Sequence, residues 1–534
     1  MLPILALAAC GGSEIEPVAQ YVGAIVADEP RAVDVAREIL LQGGTAADAA
    51  AGLYFAMSVT FPAQASLAAG GGCLVFDPAE GKAVNLGFYG QPGSGVPASG
   101  GRPTSIPSAV RGFYALQARY GRLRWAQVVA PAEALARFET PLSRAMAREL
   151  DINGPFVYAD EQSRRVFGSQ GRPAVEGDPI IQPALAQVLT EIRTKGPAEF
   201  YTGDLSRRFV NAVRAAGGTI TAEDMASVRV SWRDAPSVPF GRRDLFLAAD
   251  PAVGSLTAGV LSNLLIENDA YDDADDNVKH HVLAEASMIA FADRATWFAQ
   301  SESGAGGRLT SPVGEILDED RAEDLWELYT STRHLARGDF PARIPEVLEN
   351  QAGTGFSVVD PSGLGVTCMV TLNNPFGIGR IAPQTGIMLA ADPNVTRGGP
   401  TPLAYAIIGD VDTGKYYGAI TASGGVLAAT AMVRPLIGLE VDEEPLALAL
   451  DRTRIHNTGN PDITFHERRL PDVAVDQLRA LGHETSVFPS EVQGSPPKVN
   501  ALFCDNGFPS AAGRCEALPD PRGSGLSFGH VAPQ

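Results

Sequence analysis

Five cysteines and seven histidines are the residues of this chain that could form disulfides or bind a metal. Cys504 and Cys515 flank Asp505-Asn506-Gly507, a turn signal, so we expect a disulfide across a hairpin if the protein is exported. Cys73 and Cys368 stand in apolar runs, where a cysteine commonly behaves as a small buried hydrophobic residue. The sequence therefore predicts one disulfide and two buried thiols.

The spacing of possible ligands gives little support to metal or phosphate chemistry. His280-His281 is the one close histidine pair, and it has no third ligand nearby in the sequence. The acidic clusters at 268–276 and 318–320 lack the spacing and central glycine of an EF-hand loop. The glycine run after Ala69 precedes a strand and lacks a following Gly-Lys-Ser/Thr, unlike a phosphate-binding loop. We expect no metal and no cofactor.

The N-terminus has the pattern of a bacterial lipoprotein signal. Residues 1–10 resemble a lipoprotein signal: residues 1–9 are nearly all apolar, and small residues precede Cys10, which would become the lipidated first residue once the segment before it is removed. The usual basic start is missing, which raises the alternative that Met1 is internal to a longer signal; a fortuitous apolar terminus is the other alternative. No run reaches the roughly 18 apolar residues of a spanning helix. We expect an exported, periplasmic lipoprotein that meets the membrane only through a lipid anchor at Cys10.

Composition indicates a globular protein and argues against nucleic acid as a partner. The chain has 534 residues, of which 45% are hydrophobic and 19% are charged. That length is compatible with two to four domains or with one large α/β domain. The net charge of −20 repels phosphate backbones.

The hydrophobic patterns divide the chain into a mainly helical part and a later part rich in strands. A strand at 22–27 precedes two helices, the second of which begins after a Thr45 cap. From 353 onwards the character changes to β. The other expected elements are helices within 108–230, at 278–300 and at 425–439, a polar helical excursion at 300–352, and strands at 356–360, 366–372, 386–390, 405–409 and 416–421.

Motifs in a shared order give the chain a resemblance to the gamma-glutamyltranspeptidase (glutathione hydrolase) family, from about residue 20 to 529. That family belongs to the N-terminal nucleophile hydrolase superfamily. The motifs are Gly43-Gly44-Thr45-Ala46-Ala47-Asp48-Ala49-Ala50, the run Ala69–Cys73, Pro107–Phe113 with Tyr120-Gly121, Gly196–Gly203, Ile220–Asp224, Ala292-Asp293-Arg294, Thr371–Gly377, Ser423-Gly424-Gly425 and Asp520-Pro521-Arg522.

The resemblance implies an α/β (α+β) fold, a four-layer αββα sandwich. It implies that residues 11–352 resemble the large subunit and 353–534 the small subunit of a self-cleaving precursor, with both halves in one domain. In that family the new N-terminal threonine attacks a gamma-glutamyl amide, commonly of glutathione, with its own amine as base. Backbone N–H groups at paired glycines stabilise the oxyanion, and an arginine grips the glutamate.

The position of the family nucleophile is a glycine in this chain. The family pattern of Thr, Thr or Ala, His, an aromatic or aliphatic residue, Ser and Val meets Gly353-Thr354-Gly355-Phe356-Ser357-Val358. Gly353 can neither attack nor cut. Using Thr354 requires a slip of one residue, which in a strand turns the side chain to the opposite face unless a bulge absorbs it.

Other site positions differ as well. The stretch that corresponds to the family's arginine block, 86–92, has no arginine, although Arg102 and Arg111 lie downstream. The family's serine pair meets Pro402-Leu403-Ala404-Tyr405, and its acidic contact meets 390–394, where Asp392 is the nearest carboxylate. The positions retained are Thr371, Asn373, Gly424 and Gly425. Each also has a purely structural interpretation: a strand residue, a turn residue and a tightly packed glycine pair.

Three hypotheses about function follow from the resemblance. The first is a degenerate, unprocessed family member, a pseudoenzyme that acts as an exported binding or structural protein. The second is a self-cleaving amidohydrolase that uses Thr354 on an altered small-molecule amide or peptide. The third, full gamma-glutamyl activity, conflicts with the side chains present.

Overall fold

The computed structural model describes residues 22–529 except 98, 170, 250–251, 301–306, 341–343, 345, 347–351, 395–402, 490–496 and 511–514. Cys10, the apolar segment before it and Pro402 therefore lie outside the described residues. Two antiparallel sheets pack face to face, and helices cover the outer face of each. The expected four-layer αββα arrangement is confirmed.

Thirteen strands form the two central sheets. They are β1 (Ala24–Ala27), β2 (Gly70–Asp77), β3 (Lys82–Phe88), β4 (Ser231–Asp234), β5 (Ser237–Phe240), β6 (Arg243–Leu247), β7 (Thr354–Val359), β8 (Gly365–Thr371), β9 (Ala404–Asp410), β10 (Lys415–Ser423), β11 (Lys498–Phe508), β12 (Glu516–Leu518) and β13 (Leu526–Phe528).

Both central sheets contain strands from before and from after residue 353. The first sheet has the order β4-β3-β2-β8-β7-β1-β13, and the second has the order β5-β6-β9-β10-β11-β12. In the first sheet, β7 lies between β1 and β8. A cut at 353 would therefore leave two chains that both contribute strands to each central sheet.

Side chains alternate between the middle and the outer layers of the sandwich. In β1, Ala24 and Val26 belong to the core between the sheets, together with Phe246 and Ile407 of the second sheet. Ile25 and Ala27 point to the helical layer on the other face. This period of two produces continuous apolar runs, because both faces of the sheet are buried.

Helices α1 to α10 pack on the first sheet, and α11 to α16 pack on the second. The seventeen α-helices among the described residues are α1 (Pro30–Leu41), α2 (Ala46–Thr60), α3 (Ala109–Tyr120), α4 (Trp125–Arg137), α5 (Arg144–Val157), α6 (Glu161–Phe167), α7 (Pro183–Lys195), α8 (Ala198–Thr202), α9 (Asp204–Ala215), α10 (Ala222–Ser227), α11 (Val253–Ser262), α12 (Lys279–Trp297), α13 (Val313–Ile316), α14 (Glu319–Trp326), α15 (Ala428–Glu440), α16 (Leu446–Asp451) and α17 (Asp472–Ala480). None of the described helices is both long enough and apolar enough to cross a bilayer.

Short strands and turns connect these layers. A π-helical turn spans Asn263–Glu267, and 3₁₀ turns span Arg337–Asp339 and Gly425–Leu427. The minor strands are Gln91–Pro92, Ser105–Ile106, Thr140–Pro141, Gly168–Ser169, Arg172–Pro173, Pro179–Ile180, Phe298–Gln300, Gly307–Leu309, Ile381–Ala382, Ile387–Met388, Ile455–His456, Thr464–His466 and Thr485–Val487.

Helix α2 shows how the sequence specifies the central helical layer. The Thr45 hydroxyl accepts a hydrogen bond from the Asp48 N–H, and the Asp48 carboxylate accepts one from the Thr45 N–H. This reciprocal cap satisfies two N–H groups that a helix start otherwise leaves unpaired. Every residue of α2 is buried, and its alanines permit the close approach of α1 and α4.

The thiol interpretation of Cys73 and Cys368 is wrong, although both residues are buried. They face each other across β2 and β8, with Cα atoms 4.0 Å apart, and form a disulfide. Their sequence separation of 295 residues hides the pairing, because only the strand register brings them together. The structure also joins Cys504 to Cys515, the pair proposed from the sequence.

The turn interpretation of Asp505-Asn506-Gly507 is also wrong. These residues lie inside β11, opposite a register shift between Tyr416 and Gly418 of β10. Gly507 has a φ of +67°, which suits glycine. The turn signal therefore marks a β-bulge, and the connection from β11 to β12 comes after Phe508.

Candidate active site

Gly353 and Thr354 lie at the start of β7, at one end of the first sheet. Thr354 pairs with Val370 of β8, and Gly353 is buried just before it. The Gly353 N–H donates a hydrogen bond of 2.9 Å to Oε1 of Gln64. Gly353 has a φ of +144°, and a Cβ atom added there would lie 2.8 Å from Cδ2 of Leu403. The backbone and the packing at this position both favour glycine.

Thr354 is bonded to a carboxylate in the interior. Its hydroxyl donates a hydrogen bond of 2.7 Å to Oδ2 of Asp28, the residue that follows β1. Asn500 of β11 donates from Nδ2 to Oδ1 of Asp28 and to the carbonyl oxygen of Gly355, both over 3.0 Å. Thr354 is 0% exposed. The Thr354–Asp28 pair of the first sheet is therefore connected to the second sheet through Asn500.

The charged residue Lys498 interacts with both Asp28 and Glu149, the latter on helix α5. Burial raises the pKa of Asp28, while Lys498 and the hydrogen bonds from Thr354 and Asn500 oppose that rise. The Lys498 ammonium group lies 3.2 Å from Oε1 of Glu149. Burial lowers the pKa of Lys498, but the Glu149 and Asp28 carboxylates outweigh it and the pKa is raised. Lys498 stays charged and partly compensates the buried acid.

Thr371 and Asn373 lie beside the backbone that precedes Gly353. The Thr371 hydroxyl donates to the carbonyl oxygen of Ala352 over 3.4 Å, and it accepts from the Asn373 N–H over 2.9 Å. Asn373 has a φ of +63°, and its Nδ2 donates to the Ala391 carbonyl oxygen over 2.8 Å. Thr371 and Asn373 are thus brought together beside the Ala352–Gly353 peptide.

Asp392 follows Ala391 in the same loop. Its Oδ1 accepts from the Asn394 N–H over 2.7 Å, and its own N–H donates to the Pro103 carbonyl oxygen over 3.1 Å. Asp392 is 7% exposed, and burial raises the pKa of its carboxyl group. This carboxyl group organises its own turn, which is sufficient to explain its presence.

Gly424 and Gly425 connect β10 to α15 through a 3₁₀ turn. Their φ values are +134° and +64°, and a Cβ atom on Gly424 would lie 2.7 Å from Cβ of Pro497. Both glycines are required by conformation, and Gly424 also by close packing. Their role in binding an oxyanion stays a prediction.

A tyrosine pair joins the two stretches that correspond to the family's substrate grip. Tyr89, from the stretch without an arginine, and Tyr405, from the stretch without the serine pair, have hydroxyl oxygens 2.8 Å apart. Tyr405 is 0% exposed, and burial raises its pKa well above the usual value. Both hydroxyls lie close to Gly72, where an added Cβ would be 2.3 Å from Tyr405 and 2.8 Å from Tyr89.

The sequence profile of the gamma-glutamyltranspeptidase family matches residues 32–395, more than half of the chain. This chain belongs to the gamma-glutamyltranspeptidase family. It is 25% identical to the glutathione hydrolase proenzyme of Escherichia coli, covering 90% of this chain and 89% of that protein. It is also 25% identical to the glutathione hydrolase proenzyme of Pseudomonas aeruginosa, covering 95% and 94%.

The fold is shared with a solved acylase. Cephalosporin acylase from Bacillus halodurans superposes with a TM-score of 0.75 at 19% identity, covering 95% of each chain. At that identity the likeness concerns the fold alone. It agrees with the αββα sandwich that gamma-glutamyltranspeptidase membership implies.

Three polar residues next to the family's cleavage position were missed by sequence reasoning. Asp28, Gln64 and Asn500 contact Thr354, Gly353 and Gly355. They come from the end of β1, the segment after α2, and β11, which meet only in the folded sandwich. The sequence signal that could have indicated Asn500 is a polar residue within the apolar run of β11, because a buried polar side chain needs a hydrogen-bond partner.

Proposed function

We propose that this gamma-glutamyltranspeptidase family member stays a single, uncut chain and acts as an exported non-catalytic binding protein. One observation carries the proposal: at the cleavage position Gly353 has no side chain, its φ is +144°, and its N–H is engaged by Gln64. Because residue 353 carries no hydroxyl, it has no side-chain group that could attack the Ala352 carbonyl and begin self-cleavage. Without cleavage there is no free N-terminal amine to act as base.

The residues at the positions that correspond to the family's glutamate-binding residues support the same conclusion. The guanidinium group that would bind a glutamate carboxylate is replaced by neutral groups of the 86–92 stretch, including Tyr89. Tyr89 is bonded to Tyr405, which is buried beneath it. A phenol pair offers two hydroxyls but no positive charge, so recognition of a gamma-glutamyl carboxylate would be weak.

A second candidate is an amidohydrolase that cuts between Gly353 and Thr354. The observation that favours it is the 2.7 Å hydrogen bond from the Thr354 hydroxyl to Asp28, since a carboxylate can activate a hydroxyl. Complete burial of Thr354 and its place in the β7–β8 ladder oppose it in the uncut chain. Only removal of the chain before 354 could expose that hydroxyl.

Intact mass and N-terminal sequencing of the purified full chain separate the two candidates. We expect one uncut chain and no release of amine from gamma-glutamyl amides. A fragment that begins at Thr354, absent in Thr354→Ala but present in the matched Thr371→Ser variant, would overturn the non-catalytic assignment. It would make small amides or peptides the next substrates to test.

Export by lipidation at Cys10 is part of this proposal. The disulfides Cys73–Cys368 and Cys504–Cys515 support an oxidising compartment such as the periplasm. Metabolic labelling with a radioactive fatty acid should mark the wild-type protein and leave Cys10→Ala unlabelled. Equal labelling of both, or of neither, would refute the anchor.

A further inference from the structure

Three histidines and a glutamate from three separate segments of the chain meet at α12. His281 and Glu285 are one helical turn apart on α12, His334 follows α14, and His483 follows α17. His281 is 1% exposed, Glu285 0% and His483 4%. The histidines looked scattered in the sequence, and only the fold supplies the partners that the His280-His281 pair lacked.

One ring nitrogen of His281, one ring nitrogen of His483 and one carboxylate oxygen of Glu285 form a small triangle. Nδ1 of His281 lies 2.7 Å from Nε2 of His483. Oε1 of Glu285 lies 3.7 Å from the former and 3.5 Å from the latter. Ligand atoms at tetrahedral zinc are separated by roughly 3.3 Å, because each lies roughly 2.0–2.2 Å from the metal. The two sides that end at Glu285 are close to that spacing, and zinc binding would require the His281 and His483 nitrogens to separate by roughly 0.6 Å.

The second ring nitrogen of each histidine and the second carboxylate oxygen of Glu285 are hydrogen-bonded to other groups. Nε2 of His281 lies 2.8 Å from the Thr330 carbonyl oxygen, and Nδ1 of His483 lies 2.8 Å from Oγ1 of Thr464. Oε2 of Glu285 accepts from the Leu335 N–H over 3.1 Å. Metal-binding histidines commonly use their second nitrogen in this way, which fixes ring orientation and tautomer.

His334 adds a further layer. Its Nδ1 lies 2.5 Å from Oε1 of Glu285, and its Nε2 lies 3.0 Å from Oδ1 of Asp462. The Asp462 carboxylate is itself held by the Arg337 N–H and by Nδ2 of Asn457. His334 is thus a positioning residue for the glutamate oxygen that faces the two histidines.

We propose that His281, Glu285 and His483 bind one buried zinc ion, with the fourth tetrahedral position open to water, and that the ion ties α12 to the segments around 330–335 and 464–483. Two imidazoles and one carboxylate suit zinc better than calcium or magnesium, which prefer all-oxygen sites. The Glu285 carboxylate leaves one net positive charge on a bound zinc ion. The Asp462 carboxylate is separated from Glu285 by the ring of His334.

A metal-free alternative uses the same atoms. Nε2–H of His483 would donate to Nδ1 of His281, so that one proton takes the place of the metal. The two states differ in a measurable way, because only one of them contains a stoichiometric ion.

The first test uses the full chain, purified without chelator and with metal-affinity steps avoided. Elemental mass spectrometry should find about one zinc per chain. After refolding with Co²⁺ in place of zinc, the protein should show the visible absorption of Co²⁺ with low coordination number. Absence of bound metal in both preparations would establish the metal-free network instead.

Variants then locate the ion. His483→Gln and Glu285→Gln should lose stoichiometric metal, and Asp462→Asn should weaken metal affinity about 10–100-fold. The matched control is His456→Gln, another buried histidine, which should keep one metal per chain. Added Zn²⁺ should raise the Tm of chelator-treated wild type and control but not of His483→Gln. Unchanged metal content in both ligand variants would place the ion elsewhere and overturn the proposal.

Discussion

The hydroxyl of Thr354 and the carboxyl group of Asp28 are joined by a 2.7 Å hydrogen bond in which both partners are buried. The residue next to the family's nucleophile position thus acts as a structural link between β1 and β7. Asp28 receives its other hydrogen bond from Asn500 of the second sheet. The consequence is that stability, more than catalysis, should respond to changes at Thr354.

Thr354→Val is expected to lower the free energy of unfolding by about 1–3 kcal/mol, because Asp28 loses a donor while the volume at residue 354 is kept. Chemical denaturation of the purified protein measures this change. Thr354→Ser retains the hydroxyl and is the matched control. A stability equal to wild type in Thr354→Val would show that the hydrogen bond contributes nothing.

Gly353→Thr restores the family's residue type but is expected to leave the chain uncut. A threonine at φ +144° is strained by about 1–3 kcal/mol, and its Cβ atom meets Leu403. Gel electrophoresis and intact mass follow cleavage, and Gly353→Ala reports the backbone strain without the hydroxyl. Spontaneous cleavage of Gly353→Thr before residue 353 would show that the nucleophile alone is missing.

Removing Cys73–Cys368 by a double alanine substitution is expected to destabilise the fold more than removing Cys504–Cys515. The chain-entropy relation gives about 5–6 kcal/mol for the separation of 295 residues and about 3 kcal/mol for that of 11. Denaturation under non-reducing conditions compares the two variants. Equal losses would mean that native packing, rather than loop closure, decides their contribution.

Asp520 of the Asp-Pro-Arg motif makes stability depend on acid pH. Burial raises the pKa of Asp520, but the guanidinium groups of Arg454 and Arg522 outweigh it, so the pKa lies below its usual value. Nη2 of Arg454 lies 2.6 Å from Oδ2 of Asp520. A lowered pKa contributes stability that is fully present above the unfolded value, about 4, and is lost as pH falls through the folded value.

We therefore expect Asp520→Asn to lower the free energy of unfolding at neutral pH by about 3–5 kcal/mol and to flatten its fall below about pH 4. Denaturation curves at several pH values provide the measurement. Asp178→Asn, which removes the carboxylate of a surface ion pair with the half-exposed Arg172, is the control and should lower stability much less than Asp520→Asn does. A pH profile of Asp520→Asn parallel to wild type would contradict the assignment.

Sequence alone determined the family and the αββα fold, and the resemblance placed Gly353 where the family has its nucleophile. Period-two runs such as β7 and β8, the Thr45 cap and the ordered motifs depend on neighbouring residues, so they can be read along the chain. The placement of Gly353 at that position also depends only on neighbouring residues, because Phe356, Ser357 and Val358 set the register of the resemblance.

Tertiary structure alone decided the long-range pairings. Cys73 faces Cys368 only because β2 and β8 are neighbours. Asp28 reaches Thr354 only because β1 pairs with β7. His281 meets His483 only because the segment after α17 packs against α12. The bulge at 505–507 likewise depends on the partner strand. Contacts between residues hundreds of positions apart are set by sheet order and layer packing, which no local spacing encodes.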